Sequence, residues 1–188
     1  MMLSALVRQL LLESSCAYSD PKCLTGGMLW HPGAYGERTS RNMLTQAETA
    51  ARSKDLQVQL LEVHSADDFG RAFATITQAD ALLTFPSLML FLERERIARL
   101  AQEHPLPTIS VGRDFVELGG LISFGANVYD LIRRATTYGD RILKGANPAD
   151  LPVEQPTKFE MVINLKTAKA FGFTIPQSIL LRADEVIE

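Results

Sequence analysis

The sequence predicts an α/β fold: a doubly wound, mostly parallel sheet with helices on both faces. Three observations carry this. Short apolar runs alternate with longer amphipathic stretches from Gly26 to Gly145. Those stretches are long enough to be the crossover helices that parallel neighbours require. The run Ala81-Leu82-Leu83-Thr84-Phe85 is apolar almost throughout, as a strand buried on both faces should be.

Each element follows from local signals. Met28-Leu29-Trp30 reads as a first buried strand, and His31 to Gly36 as a turn-rich loop. Ser40 is placed to cap a helix running to about Lys54, with Met43, Ala47, Ala50 and Ala51 on one face. Leu56 to Val63 alternates as a second strand. Ser65 opens a helix whose Phe69, Ala72, Phe73 and Ile76 recur at spacings of three and four. Pro86-Ser87 ends the third strand, and one helix is expected over Leu88–Glu103. Thr108–Val111 and Leu121–Phe124 supply two more strands, with a short helical turn over Phe115–Leu118 between them. Asn127 or Asp130 starts a long helix to Lys144, stopped by Gly145. Asn147 to Pro156 is too proline-rich for a helix and reads as an extended connector. A strand over Lys158–Leu165 and two short helices, around Lys166–Phe171 and Pro176–Leu180, close the chain. A short helix is also expected over Leu3–Leu12.

Bulk properties exclude several classes of function. At 46% apolar and 22% charged residues the chain is an ordinary globular domain. A net charge of −3 with no long Lys/Arg run gives nucleic acid no electrostatic footing, so no nucleic-acid partner is expected. Cys16 and Cys23 read as incidental thiols rather than a disulfide framework. No apolar run approaches the roughly 20 residues of a membrane span. Arg8 and Gln9 interrupt the apolar start, and Glu13 stands where a lipoprotein cut site before Cys16 needs an apolar residue. No secretory signal is therefore expected, which leaves the chain as written in the cytoplasm.

Chemistry-bearing motifs are sparse. His31, His64 and His104 lie far from one another and from either cysteine, so no metal site is expected. Asp67-Asp68 reads as charge at a helix start, and Glu93–Arg96 as a solvated face with local ion pairs. Nothing matches G-x-S-x-G, G-x-G-x-x-G or a P-loop, so neither an enzyme nor a bound cofactor is expected. One rule still locates a site: open parallel sheets bind ligands beyond the carboxyl ends of their strands. That gathers the loops His31–Arg38, Phe85–Leu88 and Gly112–Phe115, with Tyr35, Ser87, Arg113 and Asp114 among their side chains. Aromatic, hydroxyl and guanidinium groups together suit a small polar or amino-acid-like ligand.

From Met28 onward the chain resembles the ABC-transporter substrate-binding proteins, the family that includes the tryptophan/tyrosine-binding lipoproteins. The stretches that carry the resemblance are Arg113-Asp114-Phe115-Val116-Glu117-Leu118-Gly119-Gly120, then Leu121-Ile122-Ser123-Phe124-Gly125. They continue with Ile142-Leu143-Lys144-Gly145 through Asp150-Leu151-Pro152-Val153-Glu154-Gln155-Pro156, and with Val162-Ile163-Asn164 to Ala168-Lys169-Ala170-Phe171-Gly172. The resemblance implies a type I periplasmic-binding-protein-like lobe: the second half of a clamshell that closes on a small ligand and presents it to an ABC permease. Three segments follow: a non-matching residues 1–25, the lobe itself over 26–126, and a hinge-crossing helix, returning strand and terminal helices over 127–188. The resemblance implies ligand contacts from His31 and Tyr35, from Phe85, Pro86 and Ser87, from Arg113, and from Ser123 and Asn127. It also implies a parent that is periplasmic or lipid-anchored, with the first lobe and its signal missing from this chain. The helix Asn127–Lys144 would then lack its native cover and favour self-association. The alternative is the ligand-sensing effector domain of a bilobal transcription regulator, which would need a basic helix-turn-helix that this chain lacks.

Overall fold

The computed structural model describes residues 24–76, 79–172 and 174–188. The helix expected over Leu3–Leu12 and both cysteines lie outside the described residues. The first strand, β1 (Leu24–Trp30), enters the sheet ahead of Met28. It is held on both sides, pairing in parallel with β2 (Leu56–Glu62) and β3 (Ala81–Thr84). These continue into β4 (Thr108–Ser110) and β5 (Ile122–Ala126), also parallel. Next, β6 (Phe159–Asn164) joins β5 antiparallel, and β7 (Glu185–Ile187) joins β6 in parallel. The strand order is β2-β1-β3-β4-β5-β6-β7, the mostly parallel, doubly wound sheet that the pattern predicts. The expected return strand is in place, with Ile163 opposite Ile122. Only β7 had no counterpart in the pattern, because three half-buried residues leave no readable alternation.

The helices depart from expectation at their ends. Helix α1 (Glu37–Arg52) begins ahead of Ser40, with Gly36 at its cap position. Ser40 is inside the first turn, its hydroxyl donating to Tyr35 O at 3.4 Å. Before α2 (Phe69–Thr75), the Asp68 carboxylate accepts from the backbone N–H groups of His64 and Ser65 at 2.9 and 3.0 Å. Those donors hold it below the usual carboxylate range. The helix expected over Leu88–Glu103 is two, α3 (Leu88–Leu92) and α4 (Arg94–Glu103), because Glu93 leaves helical geometry at φ −93°, ψ 12°. A short α5 (Arg113–Glu117) precedes β5. Beyond β6 come α7 (Leu165–Ala170) and α8 (Gln177–Leu180).

Alternation along the strands divides the core between two faces. Leu82 joins Leu29, Phe69, Phe73, Ile97 and Phe115 beneath α2, α4 and α5. Its neighbour Leu83 packs on the other side, against Ile109, Ile122, Ile163 and Ile179. The long helix α6 (Val128–Leu143) differs from α1, the described helix of equal length. Asn127 caps it, accepting from Asp130 N at 2.8 Å, and Gly145 at φ +98° stops it, both as expected. None of its residues is buried. Its tertiary hydrogen bonds reach the connector: Tyr138 OH donates to Pro152 O at 2.7 Å, and Arg134 donates to Glu154 at 3.2 Å and to Thr157. Among the described residues no helix is long and apolar enough to cross a membrane.

Candidate functional site

The loops after β1 and β3 diverge from the point where the strand order reverses, the position at which open α/β sheets place ligands. Trp30 ends β1 and is buried. Its indole anchors both loops: the Tyr35 ring stacks on it at 6.0 Å between centroids, and the Phe85 ring meets it edge-on at 5.0 Å. Polar tips then tie the loops across the gap. Tyr35 OH donates to Pro86 O, and His31 Nδ1 lies 3.1 Å from Ser87 Oγ. Partial burial of the Tyr35 phenol raises its pKa above the ordinary tyrosine value. Ser87 also caps α3, its oxygen accepting from Leu90 N at 3.4 Å. His31, Tyr35, Phe85, Pro86 and Ser87 thus form one assembled edge.

The remaining expected contacts lie apart from it. Arg113, at the start of α5, is occupied by carboxylates. Its two amino nitrogens donate to the Glu185 carboxylate, one at 2.7 Å, and Nε donates to Glu117 at 2.9 Å. Glu160 stands 3.7 Å away. The hydrogen bonds to Glu185, then those to Glu117, raise its pKa further above its already high value. The guanidinium therefore ties α5 to β6 and β7. Asn127 belongs to the same cluster, its Nδ2 donating to Glu160 at 3.0 Å. Ser123 is 2% exposed inside β5, between Ser110 and Val162 on the flanking strands. The edge between these clusters is pinned by Gly125, where an added Cβ would lie 2.2 Å from Val111 O. Only a glycine lets β5 run that close to the end of β4.

Two cavities touch this edge. The larger, about 330 Å³, runs beneath α1 along the sheet face, past Met28, Met43, Ala47, Ala50 and Leu83, and reaches Phe85 and Val111 at one end. Its lining is almost wholly apolar and holds no ionic group. The smaller, about 60 Å³, lies between the loops after β3 and β4, with Thr84, Ser87, Phe91, Arg94, Ser110 and Asp114 in its wall. Arg94 was expected in a solvated charge run with local ion pairs. Instead no residue of Glu93–Arg96 forms an ion pair among the described residues, and the Arg94 guanidinium sits 4.6 Å over the Phe91 ring. Its Nε is buried without a hydrogen-bond partner, a condition that costs about 1–3 kcal/mol. The sequence held no signal for this, because a helical Arg among Glu residues reads as solvated. Among the described residues no group of His, Cys, Asp and Glu is arranged to hold a metal.

Residues 21–187 match the model of a protein family described as ABC transporter substrate binding protein. No curated protein is similar enough to the sequence to count as a match. Among solved structures, the chain is similar to an ABC domain from Streptococcus pneumonia in complex with L-Trp, at 26% identity and TM-score 0.80, covering 96% of this chain and 60% of that one. It is also similar to a conserved domain protein from Vibrio cholerae, at 22% identity and TM-score 0.81, over 98% of this chain and 60% of that one. A third, a substrate-binding protein with adhesive properties from Clostridium difficile in its ligand-free, open form, has 20% identity and TM-score 0.61, over 89% and 55% of the two chains. The latter two show a shared fold alone. The chain spans about 60% of the length of the first two structures.

Proposed function

The chain belongs to the ABC transporter substrate-binding protein family, and from that premise we propose that it is the ligand-gripping second lobe of a two-lobed solute-binding component of an ABC importer. The family match carries this reading, laid over a strand edge where His31, Tyr35, Phe85 and Ser87 converge. The course of the chain supports two lobes. It leaves the sheet at Asn127, runs through α6 and the connector, and comes back at Phe159. In this reading the parent works outside the cytoplasmic membrane, delivers its ligand to a permease, and uses α6 to meet its first lobe. The ligand is small and amino-acid-like, a class supported by the 26%-identical relative whose structure holds L-Trp.

The proposed role is binding without chemistry. The geometry nearest to a catalytic one is His31 beside Ser87. A nucleophile–base pair needs a third group to orient the base, and among the described residues no carboxylate bonds to His31. A lobe that supplies half the contacts of a micromolar site retains about half of roughly 8 kcal/mol, which leaves millimolar affinity. Calorimetry and thermal-shift measurements against the amino acids should show binding in that range and no turnover. Sub-micromolar binding by this chain alone, or an ester hydrolysis abolished by Ser87→Ala, would overturn the reading.

A further inference from the structure

We propose that the small cavity between the loops after β3 and β4 is a head-group site for an α-amino acid, with Arg94 taking the carboxylate and Asp114 the ammonium. The inference rests on the solute-binding reading and names the chemistry at its centre. Three observations converge on it. First, the cavity opens at the carboxyl ends of the two central strands, and its volume, about 60 Å³, suits a few heavy atoms rather than a whole ligand. Second, Arg94 is positioned but only partly engaged. Phe91 holds its guanidinium from below, one amino nitrogen donates to Phe91 O at 2.9 Å, and Nε is buried with no acceptor. The other amino nitrogen has no hydrogen bond among the described residues. Third, Asp114 lines the same cavity, and its carboxylate has neither an ion pair nor a hydrogen bond among the described residues.

Each residue has a simpler role available. Arg94 could serve only to cover Phe91, and Asp114 only to place negative charge in the first turn of α5. Those roles explain each residue singly. They do not explain why opposite charges in one cavity wall leave each other unpaired while Arg113, the residue beside Asp114, is engaged by Glu117 and Glu185. A cation and an anion in the wall of one small, otherwise mostly apolar space complement a zwitterion, whose two charges sit on one carbon. Thr84, Ser87 and Ser110 offer further hydroxyls in the same wall. The ligand's side chain would then extend outward beside Phe85 and Phe91, the latter about half exposed.

The test is a set of titrations of the full chain, followed by side-chain nitrogen–proton NMR of the arginine Nε groups. The probes are L-phenylalanine, its deaminated counterpart 3-phenylpropionate, and its decarboxylated counterpart phenethylamine. L-Phenylalanine should shift the Arg94 Nε resonance, identified by its loss in Arg94→Gln, and should bind more tightly than either counterpart. Removing a charged hydrogen-bond partner weakens binding by about tenfold or more. Arg94→Gln should therefore weaken L-phenylalanine by that factor and leave phenethylamine unchanged. Asp114→Asn should weaken L-phenylalanine and leave 3-phenylpropionate unchanged. Circular dichroism of each variant checks that it is folded. If L-phenylalanine moves signals at the His31–Ser87 edge but not at Arg94, or if both variants bind it as well as the parent chain does, the head-group site is wrong and the solute-binding reading stands. Shifts nowhere with any of the three probes overturn both.

Discussion

The edge where β1 and β3 end and the surface of α6 are both amphipathic, and they reach opposite outcomes. At the edge, Trp30 and Phe85 bury their rings against each other, and Tyr35, His31 and Ser87 close the gap with polar contacts. Along α6 the apolar residues recur just as regularly, yet none is buried, and Ile132 and Ile142 lie exposed. Spacings of three and four specify that a helix has an apolar face. They do not specify what that face meets. At the strand edge the partner lies within the same sheet and is fixed by strand pairing, so pattern and packing coincide. Among the described residues α6 meets the connector through Arg134 and Tyr138, and its apolar face is left uncovered.

The largest difference between the two regions should appear in the core that supports the edge. Phe69 is fully buried between α2 and the sheet. Phe69→Ala should destabilise the chain by about 3–5 kcal/mol, read as a lower urea midpoint. Gly125→Ala is the next step down and acts at the edge itself. The new methyl would press on the Val111 carbonyl, which is backbone and cannot swing aside. A loss of about 1–3 kcal/mol is expected. Wild-type stability for Gly125→Ala would show that the ends of β4 and β5 separate easily and that the edge is less firmly built than its contacts indicate.

Smaller effects belong to the polar ties. Tyr35→Phe keeps the stack on Trp30 and removes only the hydrogen bond to Pro86, so it should cost about 0.5–1.5 kcal/mol. Burial of the same phenol makes stability pH-dependent in a definite direction. Burial raises the folded-state pKa of Tyr35, so the unfolded chain gives up this proton first. The contribution is fully present below the ordinary tyrosine range of about 10 and is lost as pH rises through the folded value. Urea midpoints measured across that window should fall in the parent chain more than in Tyr35→Phe. Equal slopes would mean that the phenol is not buried in solution.

How far the sequence made this legible depends on whether the deciding contact is local. The five parallel strands and the stop at Gly145 could be read because apolar runs and a positive-φ glycine are local signals. The convergence of Tyr35 and Ser87 followed from the rule for strand ends, without their mutual geometry. The engagement of Arg113 was not visible, since Glu185 lies 72 positions away on a strand of three residues. Arg94 was hidden in part for the same reason. Phe91 lies only three residues before it, but the cavity beside it is assembled from the ends of β3 and β4. Side-chain roles set by long-range contacts need the fold before they can be assigned.

The smallest expected effect on stability is also the sharpest test of the contrast. Replacing Leu131 and Ile132 together by Gln removes two apolar side chains from α6 at positions that are 37% and 56% exposed. Glutamine is a good helix former, so the helix itself should persist. Each change should stay within about 0.5 kcal/mol, because exposed substitutions away from packed features seldom exceed that. Association should respond where stability does not. An uncovered apolar face favours pairing between copies, so the parent chain should elute earlier as its concentration rises and the double variant should not. Hydrogen exchange supplies the independent reading. Amides from Leu131 to Ile142 should exchange quickly in dilute protein and gain protection with concentration, while those of β1 and β3 stay protected throughout. Strong protection of α6 in a dilute monomer, together with a large loss of stability in the double variant, would mean that the helix is covered within the chain. The distinction between a built edge and an unpartnered helix would then have to be abandoned.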